Sequence, residues 1–306
     1  MHVITHADAA AFLAAARTEL EAAEAFNGLI LGLATRLERQ AREGGADVHG
    51  EAESPRFFTV EAEGRQYLAA LQTPPRKVIV HGADAWESGV ETLVAHLARL
   101  DPRPPGVLGP RPVAEGLARA WQARCGGAVE TGMMMGVYEL RRVEYPGVTP
   151  GALRAATAGD LELLTDWVTD FNEVVHEDMP EGREGVRREV RHLLDGGQVY
   201  LWEDGGRPVC LARWGRPTAH GACVTTVYTP PSLRRRGYAT CCVAALSQLL
   251  LDRGNAFCTL FTDLANPTSN HIYQQVGYRR LGDFGQYDFT AAETEPGASG
   301  RNSPNG

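Results

Sequence analysis

Leu233-Arg234-Arg235-Arg236-Gly237-Tyr238-Ala239-Thr240 is the stretch on which the fold turns. An alternating, β-branched run precedes it, Cys223-Val224-Thr225-Thr226-Val227-Tyr228, closed by the turn Thr229-Pro230-Pro231. A helix-period run follows from Tyr238 to about Arg253. In it Ala239, Cys242, Val243, Leu246 and Leu250 form the apolar face and Gly254 supplies the stop. The order is strand, short basic glycine loop, helix. Such a helix start leaves backbone N–H groups without intrahelical partners, and an anion can take them. Three arginines add positive charge beside it. Gly237 has no Cβ, so its backbone can approach a ligand closely. Two other phosphate loops are excluded, because the chain has no Gly-x-x-x-x-Gly-Lys-Ser/Thr and no Gly-x-Gly-x-x-Gly opens this helix.

A second stretch, residues 257–278, reads as a buried strand from Phe257 to Thr262 and then a helix. Asn266 followed by Pro267 is an N-cap with proline at the first helical position, and Gly277 ends the helix. Tyr273 lies two turns past Asn266, so both share one side.

Together the two stretches resemble the GCN5-related N-acetyltransferases (GNAT enzymes). That family's acyl-CoA loop reads Gln/Arg-x-x-Gly-x-Gly/Ala, and Arg234, Gly237 and Ala239 fill its fixed places. Its later helix reads Asn-x-x-Ser/Ala-x-x-x-Tyr before a Gly-Phe/Tyr turn, and Asn266, Ser269, Tyr273, Gly277 and Tyr278 match in order. Either motif alone is weak; both on the expected elements make a strong match.

The resemblance implies acetyl-CoA as co-substrate. Its pyrophosphate would be held by backbone N–H groups from Arg235 through Arg236, Gly237, Tyr238 and Ala239 to Thr240, with help from arginine side chains. It implies that the strand ending at Val227 and Tyr228 is splayed from its neighbour, that the pantetheine arm pairs along it, and that a backbone N–H near Tyr228 stabilises the oxyanion. Tyr273 would protonate the departing thiolate, since a phenol of pKa ~10 and a thiol of ~8.5 are not far mismatched. Its alternative reading is core packing. Asn266 caps its helix in either reading, and CoA contact by Asn266 and Ser269 is the added expectation. A base is harder to name. The segment Asn172 to Asp178 ends the domain's first helix, where GNAT enzymes contact the acceptor, and Glu173 or His176 could take the proton there. The competing reading is a solvated charged turn. His271 reads as surface, and Trp167, Trp202 and Trp214 as core.

The chain of 306 residues suggests two domains. With 43% hydrophobic and 22% charged residues, both halves can bury a core. The net charge of -8 disfavours a general nucleic-acid binder and makes Arg234–Arg236 a local feature. No Cys-x-x-Cys occurs among the six cysteines, so metal-ligand spacing is absent and reduced thiols in a cytoplasmic protein are expected. Ala9 to Ala16 is bracketed by Asp8 and Arg17, which suits a soluble helix rather than a signal peptide or a membrane span.

The expected organisation is a first α/β domain over 1–144, a turn-rich linker at 145–151, a GNAT domain over 152–290 and a disordered tail over 291–306. In the first domain Leu29, Leu33 and Leu37 recur at helical spacing. Strands are expected at 57–62, 65–72, 77–80 and 133–143, with helices at 85–100 and 113–124. The second begins with a strand at 153–156. A capping box at Thr157 and Asp160 opens the next helix, a further helix lies around 183–194, and three strands lead to the basic loop. The fold class is α/β: a mixed, mostly antiparallel twisted sheet flanked by helices, preceded by a domain that is either a degenerate GNAT-like copy or unrelated. The two-part layout is similar to the tandem proteins exemplified by mycothiol synthase. The expected activity is acetyl transfer to a primary amine, on a small molecule or, alternatively, on a protein N-terminus or lysine; a silent acyl-CoA-binding module is the alternative of a different class.

Overall fold

In a computed structural model of the chain, residues 1–43, 54–145, 147, 149–174 and 182–290 are described. The first half of the sequence runs β1 (His2–His6), α1 (Ala9–Glu21), α2 (Gly28–Arg42), β2 (Arg56–Ala62), β3 (Arg65–Gln72), β4 (Val78–Gly82), α3 (Val90–Leu97), β5 (Gly106–Pro110), α4 (Arg111–Cys125) and β6 (Val129–Leu140). The second half repeats that order: β7 (Ala152–Ala155), α5 (Leu161–Val174), α6 (Gly182–Asp195), β8 (Val199–Asp204), β9 (Arg207–Gly215), β10 (Gly221–Tyr228), α7 (Tyr238–Asp252), β11 (Phe257–Asp263), α8 (Pro267–Val276) and β12 (Arg279–Phe289).

The described residues gather into two compact units, one lying within the ranges 1–5, 52–133 and 285–306, the other within 6–51 and 134–284. In the first unit the strands lie in the order β1-β2-β3-β4-β5, followed by the end of β12. In the second the order is β7-β8-β9-β10-β11, followed by the end of β6. The pairing senses also repeat. The β4–β5 pair is parallel, as is β10–β11, whereas β2–β3, β3–β4, β8–β9 and β9–β10 are antiparallel. Each half thus lends the end of its last strand to the unit built on the other.

This division differs from the expected cut at 145–151. Helices α1 and α2 fall in the second unit, as does the end of β6, whose Met135–Leu140 pair antiparallel with β11. The reason is packing that sequence spacing cannot reveal. A Cβ on Gly28 would lie 3.8 Å from Thr259 Oγ1, and the Phe26 ring packs edge-on against Phe284 with centroids 5.2 Å apart. On α2 the buried residues are Gly28, Ile30, Leu31, Gly32 and Ala34, while Leu29, Leu33 and Leu37 are only half-buried.

Smaller differences have local causes. Strands β1 and β5 were not anticipated; β5 contains Gly106, Gly109 and Pro110, residues depleted in strands. The helix expected over 85–100 is a 3-10 turn at Trp86–Gly89 followed by α3, because Ala85 stands at φ +58. Strand β6 starts at Val129, ahead of the expected Met133, its beginning hidden by Glu130 and Thr131. The tail at 291–306 lies outside the described residues.

Period-two alternation builds the core of the second unit. Cys210 and Ala212 of β9 pack with Val243, Leu246 and Leu250 of α7, while Leu211 between them packs on the other face with Leu164, Val168 and Val190 of α5 and α6. Each of these buried valines and leucines contributes about 1.5–3 kcal/mol. The capping box expected before α5 is present: the Thr157 N–H donates to Asp160 Oδ2 at 2.8 Å, and the Asp160 carboxylate also accepts two bonds from Arg154 on β7 at 2.9 Å each.

In the first unit, burial holds His81 of β4 down to about 4. An unfolded histidine titrates near 6.5. Between those values the unfolded chain takes up a proton that the folded chain refuses. Folding stability therefore falls as pH drops from about 6.5 to about 4, and this contribution is flat above 6.5. The loss amounts to about 3 kcal/mol at most. Denaturant titrations across that window are expected to show a shallower slope of unfolding free energy against pH in His81→Leu than in the parent.

Candidate functional site

The basic loop sits where two strands part. Strands β10 and β11 pair only at Gly221–Phe257, Ala222–Cys258 and Cys223–Thr259. Beyond that point β11 continues alongside β6, whereas β10 stays with β9, so a cleft opens between β10 and β11. The β10–β9 register shifts between Thr225 and Tyr228, and Thr226 stands at φ +46. A β-branched residue there costs roughly 1–3 kcal/mol. A bulge of this kind re-aims the strand end toward the opening.

After β10 the chain makes one 3-10 turn, Pro231–Leu233, with the Leu233 N–H donating to Pro230 O at 2.9 Å. Arg234 Nε donates to Thr229 O at 3.0 Å and Arg236 Nη2 to Ser232 O at 3.4 Å, which folds both side chains back on the loop. Arg235 (φ +64) and Gly237 (φ +81) both adopt left-handed backbone. Gly237 is the N-cap of α7 and has no side chain with which to cap it. Among the described residues, the N–H groups of Arg235, Arg236 and Gly237 donate to no backbone acceptor outside helices and strands. Tyr238, Ala239 and Thr240 occupy the first turn, whose N–H groups lack a preceding turn to donate to. Gly237 is further constrained by its neighbour: a Cβ there would come within 2.5 Å of Thr149 Oγ1.

Side chains around the loop anchor it. Tyr238 is buried and donates to Asp204 Oδ2 at 2.6 Å. Tyr228 is buried against α5 and donates to Asp170 Oδ2 at 2.8 Å; burial, with that bond, pushes its phenol up to about 12. Thr240 is buried, while Ala239, expected in the helix core, is half-buried, as is Val227. Thr229 Oγ1 is buried and has no hydrogen-bond partner among the described residues.

Helix α8 is capped as its sequence predicts, with Asn266 Oδ1 accepting from the Ser269 N–H at 3.1 Å. Asn266 is exposed and Ser269 half-buried. Tyr273 is half-buried and meets Tyr278 edge-on, centroids 6.1 Å apart. The two phenols differ. Tyr278 shares a 2.8 Å bond with Ser247 Oγ, whereas no hydrogen bond of the Tyr273 hydroxyl exists among the described residues. Burial raises the Tyr273 phenol above its ordinary value.

Glu173 is exposed on the last turn of α5. Among the described residues, no hydrogen bond or ion pair joins it to Tyr273 or to the loop. His176, with Glu177 and Asp178, lies outside the described residues. His271 is exposed, Trp167 and Trp202 are core, and Trp214 is half-buried with its Nε1 donating to Gly197 O at 3.2 Å. Thr149, Thr229 and Arg216 are additions to the neighbourhood; each is unremarkable in sequence and acquires a place only through tertiary contact. No group of three His, Cys, Asp or Glu suited to a metal ion occurs among the described residues, and no helix there is long and apolar enough to cross a membrane.

Residues 206–285, which contain both motifs, match the family model of FR47-like proteins. No curated protein matches the sequence. Among solved structures, a GNAT-family acetyltransferase from Colwellia psychrerythraea is 11% identical with a TM-score of 0.55, covering 95% of this chain and 100% of its own. A GCN5-related N-acetyltransferase from Sphaerobacter thermophilus is 16% identical with a TM-score of 0.58, covering 93% of this chain and 94% of its own. A Drosophila protein is 13% identical with a TM-score of 0.64, covering 94% of this chain and 98% of its own. The chain has the fold of these GNAT-family proteins.

Proposed function

We propose that the protein is an acetyl-CoA-dependent N-acetyltransferase acting on a primary amine of a small molecule. The observation that carries this reading is the uncapped start of α7, glycine at φ +81, at the mouth of the β10–β11 opening. Backbone N–H groups from Arg235 to Thr240 would take the diphosphate, and the guanidiniums of Arg234, Arg235 and Arg236 are exposed beside them. Val227 and Tyr228 would pair with the pantetheine arm, and Asn266 and Ser269 would flank it from α8. The amine nitrogen attacks the thioester carbon, the oxyanion takes a backbone N–H near the Thr226 bulge, and the C–S bond breaks as Tyr273 gives its proton to sulfur. Glu173 would remove the proton from the amine. Glu173 is exposed, as a solvated charge would be, and the second reading is an acyl-CoA-binding module without turnover.

The first unit has the same strand order but not the chemistry. After β4 the chain carries Asp84 and Glu87 where the second half carries three arginines, so this unit reads as a GNAT-like copy that does not grip an anion. All six thiols are free, which suits a cytoplasmic protein. The test is acetyl-CoA binding by calorimetry together with release of free CoA thiol over an amine panel. Binding with turnover of small amines is expected; binding without turnover on small amines, peptides or proteins would select the silent module, and no binding would sink both.

A further inference from the structure

The opening between β10 and β11 has a second side. Ala222, Val224, Cys258 and Leu260 point into the core shared with α7. By alternation Cys223, Thr259 and Phe261 point the other way, toward α2. There the chain places a cation. Arg216, just past the end of β9, donates from Nη2 to Cys223 Sγ at 2.9 Å, and its guanidinium carbon lies 5.3 Å from the centroid of the Phe261 ring. Cys223 is in the last β10–β11 pair and Phe261 lies two residues past its partner Thr259, so the guanidinium spans the base of the opening.

The position is enforced. Arg216 holds left-handed backbone at φ +47. Gly32 of α2 sits so close that a Cβ there would come within 2.7 Å of Arg216 Cβ and 2.9 Å of its carbonyl oxygen, a contact only glycine permits. Yet among the described residues the side chain so placed has no carboxylate partner. Arg154, similarly half-buried, binds both Asp160 and Glu203, whereas Arg216 makes no ion pair among the described residues and its hydrogen bond goes to a thiol, a weak acceptor. A planar fork of N–H donors held beside a cleft, against an aromatic face and without a protein anion, suits a carboxylate from a ligand.

We propose that Arg216 is a specificity-determining residue that binds a carboxylate on the acceptor, so that the acceptor class is amino acids and amines bearing a nearby carboxylate. This rests on the acetyltransferase reading above. The acceptor reaches the thioester from the α2 side, with its carboxylate on Arg216 and its nitrogen toward the Thr226 bulge.

The test compares acetyl-CoA turnover on three pairs differing by one carboxylate: alanine and ethylamine, phenylalanine and phenethylamine, lysine and cadaverine. In the parent protein, kcat/KM for the preferred amino acid is expected to exceed that of its bare amine by about a hundredfold. Arg216→Met is expected to abolish that preference by slowing only the carboxylated member, and Arg216→Lys to restore part of it. Acetyl-CoA affinity by calorimetry should be unchanged in both variants. Preference for the bare amines, or an equal fall on both members of a pair, would overturn the proposal, as would a loss of acetyl-CoA affinity. Should the parent bind no acetyl-CoA, the donor reading fails separately. Arg216 is then judged by calorimetry with N-acetylphenylalanine and N-acetylphenethylamine: binding of the first alone, lost in Arg216→Met, sustains it, and any other pattern overturns it.

Discussion

Gly237→Glu is expected to abolish acetyl-CoA binding, with affinity falling about a thousandfold or more as several charge-assisted bonds to phosphate are lost. Three effects act together. A residue other than glycine at φ +81 costs about 1–2 kcal/mol. Its Cβ would meet Thr149 Oγ1 at 2.5 Å, so the segment around Thr149 must move. The new carboxylate would then occupy the N-terminus of α7, where its charge is welcome to the helix dipole and hostile to a diphosphate. The helix itself should survive, because an acidic group at its start is stabilising. Calorimetry with acetyl-CoA, alongside a thermal melt, separates lost binding from lost folding. Gly237→Ala, which adds bulk without charge, should fall between the two. A Gly237→Glu protein that folds and binds as tightly as the parent would remove the diphosphate site.

Tyr273→Phe should have the opposite signature: kcat lower by about a hundredfold or more, with acetyl-CoA affinity almost unchanged. The phenol keeps its proton until the thiolate forms, although burial also makes it a weaker acid than an exposed phenol. Burial raises it above its ordinary value, so it stays protonated across the neutral range. The parent should accordingly show no loss of rate from phenol ionisation below pH ~10. Stability should barely change, because no partner among the described residues is left unsatisfied when the hydroxyl goes. Tyr278→Phe is the structural control, since it strands Ser247 Oγ in the core. Thiol release under saturating acetyl-CoA reads kcat directly. A Tyr273→Phe protein with full turnover would exclude the phenol as the acid.

The two motifs were readable because their chemistry is local. A glycine before a helix, an asparagine three residues before the N–H it caps, and a tyrosine two turns further on are set by helix geometry, and the structure places each on that element. The strands expected at 57–62 and 65–72 lie within a residue of β2 and β3. What was not readable depends on partners far away in the chain. Nothing in Val129–Leu140 says that its end will pair with β11, and nothing in Gly28–Arg42 says which unit it will join. Arg216 looks like one more surface arginine until Gly32, Cys223 and Phe261 are brought around it. The general base was not readable for a different reason: Glu173 and His176 carry no local pattern that separates a proton acceptor from a solvated charge.

The loan of strand ends between the halves limits how this protein could have been assembled and how it can be taken apart. A fragment cut at the turn-rich segment after Val143 would keep every residue of both motifs and still be incomplete, because β11 would lose the neighbour it has in Met135–Leu140 and present a bare edge to solution. Neither half could therefore be shed by gene truncation without baring a strand edge in the unit built on the other.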